Sequence, residues 1–181
     1  MKPTQSLKII FMGTPEFGAI VLENLTGTSF KPVLVVTSLD KPAGREQVLT
    51  PSPTKLVAQK QNIPVVQPKK IEEIIGKLKE IRPDLIVVAA FGKILPKEIL
   101  DIPKQGILNV HPSLLPRYRG PSPIQSAILD GEEKTGVTII LMDEKTDHGP
   151  IIKQQVIRLK GDETFENLKK FLANLATLKI K

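Results

Sequence analysis

Asn109 and His111 stand two residues apart at the end of a short apolar run, and Asp147 follows in a polar stretch, Asp143 to Gly149. Side chains alternate along a strand, so Asn109 and His111 point to the same side. Together the three residues supply an amide donor, an imidazole that can carry charge, and a carboxylate. No Ser or Cys nucleophile is placed among them: the chain contains no cysteine, and Ser113 lacks the glycine-flanked elbow of a hydrolase nucleophile. The set therefore suits transfer of an acyl group to a nucleophile that the substrate brings. Asn109 and protonated His111 would steady the oxyanion of a tetrahedral intermediate. Asp147 would support the charged ring and take a proton from an attacking amine.

Plainer explanations compete. A strand-end histidine is commonly bonded to a backbone carbonyl, and Asp-x-Gly is a common turn. Three features weigh toward chemistry: the shared side of Asn109 and His111, Pro112 fixing the backbone just beyond His111, and Asp147 following the next strand, as if from the same sheet rim. The chain has only two histidines, His111 and His148, both in segments that could meet.

The elements that must hold these residues follow from pattern. Apolar runs predict strands over Leu7–Met12, Val33–Thr37, Ile63–Val66, Asp84–Ala90, Gly106–Val110, Gly136–Met142 and Ile151–Leu159. Helices are predicted over Phe17–Leu25, with Thr14 as cap, and over Thr54–Gln61, Ile71–Ile81, a short segment ending near Leu100, Pro123–Leu129 and Thr164–Leu178. The last should turn Phe165, Leu168, Phe171, Leu172 and Leu175 to one face. Ser38 to Pro53, rich in Pro and Gly, reads as a long loop. Alternating strands and helices predict an α/β fold, a Rossmann-like, mostly parallel sheet with helices on both faces. In such sheets the carboxyl rim binds ligands. The first turn, Phe11-Met-Gly-Thr-Pro-Glu16, is not the G-x-G-x-x-G of dinucleotide sites. It reads equally as amides facing a substrate or as a tight turn. No phosphate-cradling P-loop is present.

Composition bounds the rest. At 181 residues, 40% of them hydrophobic, the chain suits one domain with a real core. No run approaches the ~20 apolar residues of a membrane span, and Met1 to Lys8 lead straight into a strand with no signal-peptide stretch. Absence of cysteine removes disulfides and thiolate metal sites and fits the cytosol. Two histidines disfavour a His-based metal site, so no metal is expected. The net charge is +7. Such a balance suits either a polyanionic partner such as nucleic acid or an ordinary solvated surface.

The segment Asn109-Val-His111-Pro-Ser-Leu-Leu-Pro116-Arg-Tyr-Arg-Gly120, followed by Asp147-His-Gly149, resembles the signature of folate-dependent formyltransferases. That resemblance implies 10-formyltetrahydrofolate as formyl-donor co-substrate, an amine as acceptor, and Asn109, His111 and Asp147 as the catalytic residues. It assigns folate contact to Ser113, Leu114, Leu115 and Pro116, and to Phe91, Gly92, Ile94 and Leu95 of a loop gripping the pterin largely through backbone groups. The runs Gly13–Phe17, Lys41–Arg45, Pro51–Lys55 and Arg119–Gln125 look like the branch whose acceptor is the methionine on initiator tRNA. There Ser38–Pro53 would wedge into the tRNA acceptor end, with Arg45 and Lys41 as tRNA contacts. Two departures stand out: Glu46-Gln-Val48 follow Arg45 where more positive charge is common, and Ser38-Leu39 replace a common Gln-Pro. The resemblance covers the amino-terminal catalytic domain only, residues 1–181 as a single domain, with the family's carboxyl-terminal β-barrel absent. It implies a cytoplasmic, non-membrane protein acting as a monomer. The alternatives are formylation of a nucleotide-linked amino sugar, or a folate-binding domain with little activity because the tRNA-holding domain is missing.

Overall fold

The structure, a computed structural model, describes residues 7–180, with side chains to Thr177. The expectation for Met1 to Lys8 therefore lies largely outside the described residues. Seven strands form one sheet in the order β5-β2-β1-β6-β7-β8-β9. They are β1 (Ile9–Gly13), β2 (Leu34–Val36), β5 (Val65–Val66), β6 (Leu85–Ala89), β7 (Ile107–His111), β8 (Lys134–Leu141) and β9 (Ile151–Arg158). The first five in spatial order are parallel. β8 and β9 are added antiparallel at one edge, with a register slip between Ile139 and Ile140.

The central strands are apolar at every position because both faces are covered. Alternation along β1 and β6 sends Ile9, Phe11, Leu85 and Val87 to one side and Ile10, Met12, Ile86 and Val88 to the other. The first side packs under α1 (Glu16–Thr26) and α6 (Phe165–Ile180) through Val21, Leu22, Leu25, Leu168, Leu172 and Ala176. The second packs under α3 (Ile75–Ile81) and α4 (Lys97–Leu100) through Leu78 and Ile99, joined by Ile71 and Ile74. On β7, Val110 belongs to the first side and Ile107 to the second. Asn109 and His111 therefore share the face of Ile107. Two further helices are α2 (Pro53–Lys60) and α5 (Pro123–Leu129). Among the described residues no helix is long and apolar enough to cross a membrane.

Four local expectations change. Ser38–Pro53 is not all loop: β3 (Lys41–Ala43) and β4 (Val48–Thr50) pair antiparallel as a separate two-stranded sheet. Ile71–Ile74 is a 3₁₀ turn, and α3 begins only at Ile75. Thr14 does not cap α1: Pro15 holds the cap position, and the Thr14 hydroxyl lies 3.0 Å from that of Ser38 and 3.4 Å from the Phe91 carbonyl. Phe171 sits on the outer side of α6, 54% exposed, while Leu168 and Leu172 are buried. Thr164 does cap α6, accepting from the Asn167 amide at 3.3 Å.

Gly18 lets α1 lie close over the sheet. A Cβ there would stand 2.6 Å from the Ala89 carbonyl oxygen, whereas one at Gly76 would meet nothing within 4 Å. Helix propensity alone favours Ala over Gly by up to ~1 kcal/mol at either site, but overpacking against backbone costs roughly 1–3 kcal/mol. Gly18→Ala should therefore destabilise the protein by about 1 kcal/mol or more, and Gly76→Ala should stabilise it by a few tenths to about 1 kcal/mol. Urea midpoints at unchanged m-value will show both signs.

Candidate active site

The chain passes from β1 outward to β2 and β5, then returns across β1 to β6 and β7, so the topological switch point lies between β1 and β6. Ligands of open α/β sheets bind outside the carboxyl ends of strands at that point. Gly13 ends β1 and Ala89 ends β6, with β7 next in line. Gly13 permits the close approach there, since a Cβ would stand 2.8 Å from the Ala89 oxygen.

Asn109, His111 and Asp147 meet on the β7 side of this crevice. Asn109 Nδ2 donates to Asp147 Oδ1 at 2.9 Å, and the Gly120 amide donates to Oδ2 at 2.9 Å. His111 Nδ1 lies 3.5 Å from Oδ2, an ion-pair separation rather than a short hydrogen bond. The two side chains are 5% and 11% exposed, so water screens this group little. Nε2 of His111 lies 2.7 Å from the Tyr118 carbonyl, which can only accept, so Nε2 carries a proton. The everyday role of a strand-end histidine thus holds on one nitrogen, while the other faces the carboxylate.

The route by which Asp147 arrives differs from expectation. β8 runs antiparallel to β7, with His111 opposite Thr138 and Leu108 opposite Leu141, so β8 ends near the start of β7 and not at its carboxyl rim. The 142–150 loop then folds back over the sheet face. The Met142 amide bonds the Ile107 carbonyl at 2.8 Å, and Gly149 packs where a Cβ would lie 1.8 Å from the Leu141 oxygen. Asp147 sits at φ 47°, a left-handed conformation that Asp tolerates better than most residues. His148 does not join His111; its Nδ1 lies 2.7 Å from Asp143 Oδ2.

The remaining expected residues divide by exposure. Phe91 and Leu95 are buried in the second core, leaving Gly92 at φ 74° and the 80%-exposed Ile94 to project. Ser113 is fully buried and donates to the Arg117 carbonyl at 2.7 Å, so its side chain shapes the loop and offers no open wall. Leu115 is buried as well; Leu114 is half-buried and Pro116 exposed. Lys41 and Arg45 lie on the exposed hairpin, outside the group around His111. A surface hollow of about 500 Å³ lies behind the loop, lined by Leu114, Arg117 and residues 130–134, and does not include the three polar residues.

Two supports had no place in the sequence reading. Thr138, fully buried beside His111, donates to the Ser113 carbonyl at 2.6 Å and accepts from the Leu115 amide and from Gln154 Nε2. Its signal was a lone hydroxyl in the otherwise apolar run Gly136–Met142. The second is the Tyr118 carbonyl, a backbone group no residue type announces.

A family model described as formyl transferase matches residues 7–179, and the chain belongs to that family. Within it, the chain is 48% identical to methionyl-tRNA formyltransferase of Thermotoga maritima, over 94% of this chain and 55% of that protein. It is 51% identical to the Bacillus mycoides methionyl-tRNA formyltransferase, over 90% of this chain and 52% of that protein. The chain spans about half the length of the curated relatives it matches. Among solved structures, phosphoribosylglycinamide formyltransferase from Anaplasma phagocytophilum superposes with TM-score 0.77 at 26% identity, covering 96% of this chain and 83% of that one.

The hairpin that carries Lys41 and Arg45 is clamped at its base. Asp40 pairs with Lys55 at 2.6 Å and accepts from Gln67 Nε2 at 2.7 Å, and Thr37 bonds the α2 cap Ser52 at 2.8 Å. The hydrogen bond from Lys55, then that from Gln67, holds the Asp40 carboxyl below the usual range. A lowered folded value means that the clamp contributes above the ordinary carboxylate pKa and is lost as pH falls through the lowered one. The Asp40 carboxyl ¹³C resonance should therefore titrate below ~3.9, and Lys55→Met should move its midpoint upward.

Proposed function

We propose that the chain is the catalytic domain of a methionyl-tRNA formyltransferase, moving the formyl group of 10-formyltetrahydrofolate to the α-amino group of methionine on initiator tRNA. The observation that carries the proposal is the convergence of Asn109, His111 and Asp147 beside the sheet's switch point in a member of the formyl transferase family. The names and identities of the relatives support the choice of acceptor.

The chemistry requires three services. The attacking amine must be neutral; an α-amino group ionises near ~8, so removing its proton is a modest step. As its nitrogen bonds to the formyl carbon, the carbonyl becomes an oxyanion, which Asn109 and the Nδ1–H of protonated His111 stabilise as donors. The proton leaving the amine passes by way of Asp147, and the folate nitrogen departs with a proton as its bond to carbon breaks. No metal is needed at any step. Phe91, Gly92, Ile94 and Leu95, with Ser113 to Pro116, form the folate side. The buried Phe91, Leu95, Ser113 and Leu115 act there through backbone and loop shape, and Ile94 and Pro116 by surface. Lys41 and Arg45 meet tRNA phosphates, and the whole acts with translation in the cytoplasm.

His111→Ala and Asn109→Ala should each keep the fold and lower kcat by about 10²–10³, with folate affinity changed only a few-fold. A folded His111→Ala protein with full transfer rate sinks the assignment. Arg45→Ala should weaken tRNA alone and reduce the slope of log affinity against log salt by about one phosphate contact. An unchanged slope, or faster formylation of a nucleotide-linked amino sugar than of methionyl-tRNA, would overturn the choice of acceptor.

A further inference from the structure

The loop between β7 and α5 touches both ionisable members of the site through its backbone. The Tyr118 carbonyl takes His111 Nε2 at 2.7 Å, and the Gly120 amide reaches Asp147 at 2.9 Å. For the carbonyl to turn inward, Tyr118 adopts φ 57°, a left-handed conformation unfavourable for a bulky residue. Such a conformation persists only where surroundings impose it.

The surroundings here are specific. The Tyr118 hydroxyl lies 2.6 Å from Glu132 Oε1 and 2.8 Å from Asp130 Oδ2. Glu132 also receives Arg117 in a two-pronged pair, one prong at 3.0 Å between Nη1 and Oε2. The guanidinium lies 5.2 Å from the centre of the Tyr118 ring. Glu132 is itself only 16% exposed. One carboxylate thus grips two successive residues, and the second of them presents its carbonyl to His111.

We propose that Glu132 is a positioning residue for His111: by holding Arg117 and the Tyr118 hydroxyl it fixes the Tyr118 carbonyl on Nε2, which leaves Nδ1 as the working nitrogen. Which reaction Nδ1 serves rests on the formyl-transfer reading; the placement of the proton does not. A planar two-pronged grip suits this task because it removes rotation as well as translation. The hydrogen bond to Glu132, together with burial and Asp130, pushes the Tyr118 hydroxyl upward from its ordinary ionisation, so it stays a donor.

The test uses ¹⁵N-histidine protein and long-range ¹H–¹⁵N spectra, with a free histidine peptide as the reference, alongside steady-state kinetics. In the intact protein Nε2 of His111 should be a protonated, hydrogen-bonded nitrogen at neutral pH. In Glu132→Ala that resonance should move toward the averaged tautomers of a free imidazole. kcat should fall on the order of ten- to a hundredfold, as small misplacements of a reacting group do, with the KM for 10-formyltetrahydrofolate within about twofold by the same reasoning. Glu132→Gln, which keeps an acceptor, should retain most of both signals. Tyr118→Phe removes only the hydroxyl and decides the matter if Glu132→Ala does not fold. A wild-type Nε2 resonance in folded Glu132→Ala or Tyr118→Phe protein, or a rate loss that lies wholly in KM, overturns the proposal. An intact protein that transfers no formyl group defeats the functional reading, and the Nε2 resonance still decides this one.

Discussion

The carboxylate of Asp147 is where three separate segments converge. It is largely removed from water, and an unpaired carboxylate there would cost several kcal/mol. Its partners come from β7, through Asn109 and His111, and from the backbone of the loop before α5, through the Gly120 amide. None of these donors serves the carboxylate unless both loops lie down on the sheet. Folding of the loops and assembly of the site are therefore one event, and the left-handed backbone at Tyr118 and Asp147 is the conformational cost that the hydrogen bonds offset.

The sheet beneath makes this arrangement possible by simple alternation. On β7 the odd positions from Ile107 to His111 face one way, and only the first of them is apolar. The core on that face stops short of the end of the strand, and the polar pair occupies the remaining space. Thr138, directly across on β8, extends the same row, and Gln154 on β9 continues it. A buried hydroxyl with three partners is tolerable where an unsatisfied one would cost roughly 1–3 kcal/mol. It pins the Ser113–Leu115 turn from below while Glu132 and Asp130 grip the following residues from the side.

Much of this was legible in residues alone. Runs such as Ile9-Ile-Phe-Met12 read as strands because burial on both faces demands apolar side chains throughout. Asn109 and His111 stood out because they interrupt such a run on one side only. Direction was not legible: Gly136–Met142 has the composition of a parallel strand, yet it pairs antiparallel, and Asp147 reaches His111 by crossing the face rather than by sharing a rim. The hairpin within Ser38–Pro53 was hidden because both its strands are exposed at every position, so no alternation marks them. Thr14 has the chemistry of a cap, but Ser38 and Phe91, far along the chain, offered other partners. The role of Ser113 turned on burial, which its neighbours decide and its own type does not.

Among the described residues the β3–β4 hairpin forms no strand pairing with the seven-stranded sheet and is moored at its base, through Thr37, Ser38, Asp40 and Ser52. Its length is thus energetically decoupled from the rest of the molecule. Doubling a loop adds only about 0.6 kcal/mol of closure entropy, and no core contact is lost when the tip changes. Whatever surface the hairpin addresses, the protein can lengthen, shorten or recharge it while the Asn109–His111–Asp147 group stays unperturbed. The fold thereby separates a segment free to diversify from one held by partners on three separate segments.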